Sequence, residues 1–380
     1  MKRFTILGAG IGGLTLAIAL KKIGIRADVY EAASAIKPVG AGILMAANAI
    51  QGFHRLGVAE KIMERGCLLP YFEIKDQRGR TISSADAGII ARKFGMHNFA
   101  IHRADLHAAL LAELDADQTH TGFKALGFKQ ETDGTITVLF DQKDSISTDY
   151  LIAADGIHSA VRKQLLPETS LRYSGYTCWR AVIDAPHIDC PNASETWGAS
   201  GRFGIVPLEN RRFYWFACVN ALQNDPAMRN ISIETLRNIF GQHHQPIPAM
   251  LEATRQADLI WGDICDLGPT PHFAFGNVAL LGDAAHATTP NLGQGACQAI
   301  EDAVVLADEI KKQTDIVAAF KSYEQRRFVR AQMIVNQSWR LGKVAQISNP
   351  ILAGLRNTLL RLVPERINEA QVKSLLTVDF

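Results

Sequence analysis

Phe4-Thr5-Ile6-Leu7-Gly8-Ala9-Gly10-Ile11-Gly12-Gly13 is the stretch on which the fold turns. A short apolar run ending at a glycine reads as a buried strand that delivers a loop. The glycines fit the spacing GxGxxG. Gly8 allows a tight turn, Gly10 lets the backbone approach a pyrophosphate, and Gly13 lets the next helix pack closely on the strand. Leu14–Ile23 follows with helical apolar spacing, and Ala27–Tyr30 reads as a second strand. Together they make a βαβ unit of about 30 residues, the length of a parallel crossover. The helix N-terminus offers free N–H groups and a positive dipole end to phosphates. Glu31 ends the second strand, about 20 residues beyond the glycines, where a carboxylate can accept hydrogen bonds from a ribose diol. An acid at that point favours an unphosphorylated ribose, as in FAD or NAD.

Working outward, the 380-residue chain is 47% hydrophobic and 21% charged, the balance of a soluble globular protein with a large core. Lys and Arg total 40 against 38 Asp and Glu, a net charge of +2 that leaves no electrostatic footprint for nucleic acid or an anionic membrane. Cys67, Cys178, Cys190, Cys218, Cys265 and Cys297 form no CxxC pair, and they read as reduced cysteines of a cytoplasmic protein. No stretch is long and apolar enough for stable membrane insertion. The run from Lys2 to Leu20 superficially resembles a signal peptide, but glycines interrupt it and no small-residue cleavage region follows. No HExxH or other metal spacing is present, so no metal is expected.

Two further strand-and-loop units appear. Tyr150–Ala154 leads into Asp155-Gly156-Ile157-His158-Ser159-Ala160-Val161-Arg162, which by itself reads as a turn. Val278–Leu281 leads into Gly282-Asp283, and Pro290-Asn291-Leu292-Gly293-Gln294-Gly295-Ala296 opens a helix to Lys311. A carboxylate at a strand end can bind a sugar-alcohol chain. A glycine-rich helix N-terminus suits a ring that gains negative charge on reduction. Ala104–Leu114 reads as a helix, and Thr135–Phe140 and Arg212–Val219 alternate like antiparallel strands. The expected architecture is α/β: a Rossmann-like dinucleotide-binding domain with a β-rich domain inserted and a helical C-terminal cover. The expected boundaries are 1–170 and 269–311 for the two parts of the nucleotide-binding domain, 171–268 for the β-rich insertion and 312–380 for the cover.

Gly8–Gly13 with Glu31, Asp155–Arg162 and Gly282–Ala296, in that order over most of the chain, resemble the single-component FAD-dependent aromatic hydroxylases, the class A flavoprotein monooxygenases. Within them the chain looks closest to the salicylate-hydroxylase, urate-hydroxylase and zeaxanthin-epoxidase-like branches. The resemblance makes the nucleotide-binding domain an FAD-binding domain and the β-rich insertion a substrate domain. It implies that Gly8, Gly10, Gly12, Gly13, Glu31 and Ala32 hold the ADP part. It implies cofactor contacts from Arg103, from Leu126 near the adenine, and from Asp155 and Gly156. It assigns Asp283 to the ribityl chain. Gly293, Gln294, Gly295 and Ala296 would line the isoalloxazine. Pro290 and Cys297 beside them would contact the cofactor, with Pro290 also a candidate for the substrate pocket, and Leu44, in the loop beginning Lys37-Pro38-Val39-Gly40, would lie near the flavin. It also implies a cycle in which NADH or NADPH, bound transiently, reduces FAD. O₂ then forms a C4a-hydroperoxide that passes oxygen to a small aromatic or polyene substrate. A reductase of the geranylgeranyl-reductase type shares the same FAD motifs, and a flavin-binding protein without turnover is a third reading. A halogenase is disfavoured, because no WxWxIP signature is present.

For the substrate, Cys178, Trp179, Trp197, Arg202, Tyr214 and Asn291 are the candidates. Arg202 resembles the substrate-binding arginine of the urate-hydroxylase branch, and Arg202 and Tyr214 are the catalytic candidates. A solvated strand arginine and a sheet-packing tyrosine would read the same way. That branch is expected to carry Asn before the Trp at 179 and Asp after the Pro at 290. This chain has Cys178 and Asn291, which puts a polar purine in doubt and leaves aromatic, quinolone-like or polyene substrates open.

Overall fold

A computed structural model describes residues 2–36, 40–86, 95 and 98–380, apart from the side chains at 85, 86, 365, 366 and 371. Lys37, Pro38 and Val39 of the expected flavin-side loop lie outside these residues.

The first layer is a six-stranded sheet in the order Ala274–Phe275, Val278–Leu280, Tyr150–Ala153, Phe4–Leu7, Ala27–Glu31, Thr119–Thr121. All neighbours are parallel except the first two. Phe4–Leu7 is buried throughout, as the apolar run requires of a central strand. The register aligns Leu7 with Ala153 and Ala153 with Leu280. Three loops therefore leave the same sheet edge side by side: the one starting at Gly8, the one holding Gly156 and the one holding Gly282-Asp283. This is the carboxyl edge where open α/β sheets bind ligands. The helix Ile11–Lys22 covers the sheet and is buried from Gly13 to Leu20. A Cβ at Gly13 would come within 2.0 Å of the Gly8 carbonyl oxygen, so only glycine permits this approach of helix to loop.

The second layer is a seven-stranded sheet ordered Ile260–Leu267, Leu171–Asp184, Arg212–Asn220, Arg202–Leu208, Ala193–Trp197, Tyr71–Asp76, Thr81–Asp86. The expected substrate segment, 171–268, supplies five of its strands. Tyr71–Asp76 and Thr81–Asp86 complete it from outside that segment, through a parallel pairing of Ala193–Trp197 with Tyr71–Asp76, segments far apart in the chain. One face buries Trp179, Phe203 and Trp215 against Leu236, Phe240, Ile247 and Met250. The other faces the first layer. The C-terminal region is helical, led by Ile316–Ala345.

A buried ionic network fastens the helix Gly295–Lys312 to the Gly282 loop and to the helices Ala47–Leu56 and Ile316–Ala345. Asp302 accepts from the Gly282 N–H at 2.9 Å, meets His286 Nε2 at 2.6 Å and accepts from Arg327 Nε at 2.6 Å. Glu301 binds Arg327 and Arg330, and accepts from Asn48 at 2.6 Å. Burial opposes ionisation of Asp302, but His286 and Arg327 outweigh it and hold the carboxyl well below the ordinary carboxylate range. A depressed folded pKa gives stability that is complete above the unfolded value, about 3.9, and is lost as pH falls through the folded one. Asp302→Asn is expected to cost about 3–5 kcal/mol at neutral pH, because it strips one partner from a buried charge cluster. Thermal unfolding from pH 7 to pH 3 should show the gap between wild type and variant narrowing in acid. Equal Tm values at pH 7 would contradict the role given to Asp302.

Candidate active site

A cavity of about 370 Å³ lies between the two layers. Its first wall is the carboxyl edge of the parallel sheet. Gly10, Gly12 and Gly156 line it, as do Arg103 and Asp283. A Cβ built at Gly10 or at Gly156 meets no atom within 4 Å, so the chain leaves open space over both. Glu31 Oε2 accepts from the Ala9 N–H at 2.8 Å, and its Oε1 accepts from the Ala33 N–H at 2.9 Å. The carboxylate is thus held rigidly beside the glycine loop with lone pairs to spare.

Asp283 opens into the cavity and has no hydrogen-bond partner among the described residues. Its side chain is exposed to the cavity, and the walls around it push its carboxyl above the ordinary range by desolvation, while His286, Arg103 and Arg162 pull the other way. Arg162 donates to the carbonyls of Ile157 and Ala284, tying the Asp155 loop to the Asp283 loop. Pro290–Leu292 forms a short turn, Gly293 adopts φ +63°, and the helix Gly295–Lys312 begins with no acid in its first turn. Its positive end points at the cavity beside Gly295 and Ala296. Open space at Gly10, an unpaired carboxylate and an uncompensated helix N-terminus fit the pyrophosphate, polyol chain and ring of FAD.

Several expected cofactor contacts fall elsewhere. Leu126 is 57% exposed on the outer strand Ala125–Gln130 and does not line the cavity. Ala32 is exposed past the end of its strand. The Gln294 side chain turns inward to accept from Asn48 at 2.8 Å, and Cys297 is buried behind the wall. The Asp155 carboxylate accepts from the Ala160 N–H at 3.0 Å at a helix start, so at this loop Gly156 faces the cavity and Asp155 does not.

The second wall is one face of the seven-stranded sheet. Cys178, Arg180, Glu195, Arg202, Tyr214, Phe216, Cys218 and Ile264 line it. Alternation along each strand selects them. Trp179 consequently points to the opposite face, where its Nε1 donates to the Met228 carbonyl at 3.0 Å. Trp197 pairs with Arg202 across the sheet but is walled off among Ile82, Leu341 and Leu360. Neither tryptophan reaches the cavity. Arg202 is buried, bound to Glu195 at 2.9 Å and stacked 5.1 Å from the Tyr176 ring centroid. Tyr214 lies directly over Gly42, where any Cβ would come within 2.6 Å of it, and burial drives its phenol pKa upward. Asn291 spends its amide on protein. It donates to Thr289 Oγ1 at 2.8 Å and to the Ser338 carbonyl at 2.9 Å, and accepts from Tyr176 at 3.1 Å. The sequence reading does not single out Arg180, Glu195, Phe216 and Cys218, yet counting in twos from Cys178 and Tyr214 reaches Arg180, Phe216 and Cys218. Among the described residues no cluster of His, Cys, Asp or Glu could hold a metal, and no helix is long and apolar enough to cross a membrane.

Asp283→Ala should weaken FAD retention about ten- to a hundredfold, the worth of one or more charge-assisted hydrogen bonds. Flavin released on heating should be FAD rather than FMN. Unchanged FAD affinity in the variant would remove Asp283 from the site, and release of FMN alone would contradict the ADP cradle.

Comparison with known proteins agrees with this geometry. A family model described as FAD binding domain matches residues 3–338. Aurachin C monooxygenase/isomerase of Stigmatella aurantiaca is 39% identical over 359 residues, covering 94% of this chain and 93% of that one. The 2-heptyl-3-hydroxy-4(1H)-quinolone synthase of Pseudomonas aeruginosa is 33% identical over 366 residues, covering 94% of each. The crystal structure of Klebsiella pneumoniae HpxO complexed with FAD and uric acid superposes with a TM-score of 0.91 at 30% identity, covering 99% of this chain and 97% of that one. The chain belongs to the FAD binding domain family and is a class A flavoprotein hydroxylase, an FAD-dependent monooxygenase.

Proposed function

We propose that this monooxygenase hydroxylates a flat bicyclic heteroaromatic of the 4-quinolone type carrying an aliphatic chain. The observation that carries the reading is the makeup of the second wall. Arg202 is paired with Glu195 and Asn291 is satisfied by protein, while Arg180 stands unpaired beside the thiols Cys178 and Cys218 with Phe216 and Ile264. A purine rich in carbonyl and N–H groups would leave most of its polar edges unpaired against such a wall. A largely apolar ring with a single oxo group gains burial there and leaves few groups unpaired. A relative whose name contains 4(1H)-quinolone favours the same class, while urate hydroxylases are similar to a comparable degree. The makeup of the cavity wall supports the quinolone reading over the urate one.

Bound FAD supplies the redox chemistry, taking electrons from NAD(P)H and activating O₂. In this reading Gly10 and Gly12 hold the pyrophosphate against the helix N-terminus at Ile11. Glu31 takes the ribose diol, and Asp283 takes the ribityl hydroxyls. Gly293, Gly295 and Ala296 carry the ring. Tyr214, Cys178 and Phe216 press the substrate flat against it and exclude water. Arg202, fixed by Glu195, sets the edge at which the ring stops.

Stimulation of NAD(P)H oxidation by a panel of 2-heptyl-4(1H)-quinolone, urate and salicylate tests the class. The quinolone should stimulate and urate should not; stimulation by urate alone would overturn the reading. Arg202→Lys should keep the charge pair with Glu195, and with it the fold and FAD content, while losing the planar fork. A substrate misplaced by about 1 Å can cost on the order of a hundredfold in coupled turnover. The yield of H₂O₂ per NAD(P)H consumed should therefore rise. Unchanged coupling and KM would reduce Arg202 to a packing role.

A further inference from the structure

The second wall carries two arginines that differ in their charge partners. Arg202 is buried and its Nη1 is ion-paired with Glu195, although its Nε has no partner among the described residues. Arg180 lines the same cavity, yet it meets no carboxylate and no hydrogen-bond acceptor among the described residues, and its Nε is shut off from solvent without a partner. It stands two residues from Cys178 on the strand Leu171–Asp184, on the same face, and is paired across the sheet with Phe216 on one side and Ile260 on the other. Gly262 lies against it, and a Cβ there would sit 3.7 Å from its guanidinium, so the neighbouring strand offers backbone without a side chain at that point. A guanidinium with a donor removed from water and unpaired is costly unless something else accepts from it.

Resting on the 4-quinolone reading, we infer that Arg180 is the specificity-determining cation of the site: it donates to the exocyclic oxygen of the bound heteroaromatic ring. The chemistry matches. A ring oxo group conjugated to a ring nitrogen carries substantial partial negative charge, and loss of the ring N–H proton gives a conjugate base with oxyanion character, which a neighbouring cation favours. Arg202 cannot do this equally, because Glu195 already cancels its charge, and Phe216 and Cys218 offer no comparable donor. The arrangement divides the labour: the Arg202–Glu195 pair shapes the wall, and Arg180 reads the oxygen. A ring of the same shape without that oxygen should bind without benefit from Arg180.

The test is a thermodynamic cycle on the FAD-loaded protein, by calorimetric titration with 2-heptyl-4(1H)-quinolone and with 2-heptylquinoline, which lacks the oxygen. Arg180→Met should weaken the quinolone about ten- to a hundredfold and leave the quinoline within about twofold, the range expected for a hydrogen bond to a charged donor. Arg180→Lys should fall between wild type and Met for the quinolone. Because Arg180 has no partner in the protein, the variants should keep FAD content and Tm, and both are measured alongside. Equal weakening of the two ligands would make Arg180 a packing residue and overturn the inference. So would a rise in KM for NAD(P)H with unchanged quinolone affinity, which would assign Arg180 to the nicotinamide nucleotide. If the wild-type protein binds and oxidises the quinolone but Arg180→Met does so equally well, the inference alone fails. If the wild type binds neither ring compound, the functional reading fails with it.

Discussion

Everything at the cofactor side of this cavity hangs on one buried carboxylate. Asp302 receives the Gly282 N–H, His286 and Arg327 at once, so it fixes the loop that presents Asp283 relative to the helix that begins at Gly295. Glu301, beside it, gathers Arg327, Arg330, Asn48 and Gln298, and through Asn48 and Gln298 reaches Gln294 at the helix start. Such a cluster is not a cheap source of stability, since each charge must leave water. Its value is positional. The Asp283 carboxylate and the helix end at Gly295 both face the cavity, and a charge network with every partner in place lets their separation slip little.

The same economy governs the sheet. The parallel register brings three loops to one edge because Leu7, Ala153 and Leu280 are aligned strand to strand. Each loop then needs little sequence of its own. Gly13 against the Gly8 carbonyl closes the first, Arg162 fastens the second to the third, and Asp302 locks the third. The substrate wall is built differently, from side chains on one face of an antiparallel sheet, and its polarity depends on which groups are already spent. Glu195 turns Arg202 from a free cation into part of the wall, and Thr289 and Ser338 do the same to Asn291.

This contrast explains what could be read from the sequence. The βαβ unit, Glu31, Asp283 and the helix opening at Gly295 are legible because each sits at a strand or helix end marked by glycine, proline or acid. Trp179 was misplaced because Cys178 and Trp179 are neighbours in a strand and cannot share a face; the cavity took the cysteine. Trp197 is on the right face but under the C-terminal helices, a packing no local pattern encodes. Leu126 was carried over from the family resemblance, and its strand lies in a small outer sheet. The strands at Tyr71–Asp86 are not legible as part of the substrate-side sheet because their partner, Ala193–Trp197, is distant in the chain. Arg180 and Glu195 became visible only when the sheet showed which side faces the cavity.

In the proposed reading this cavity holds a 4-quinolone ring where oxygen from O₂ is transferred to it. Turnover of 2-heptyl-4(1H)-quinolone with NAD(P)H under isotopically heavy O₂, read by product mass, is the decisive measurement. One heavy oxygen atom is expected in each product molecule, with product formation matched to NAD(P)H consumed. Product without label, or NAD(P)H oxidation that yields H₂O₂ and returns the quinolone unchanged, would contradict it.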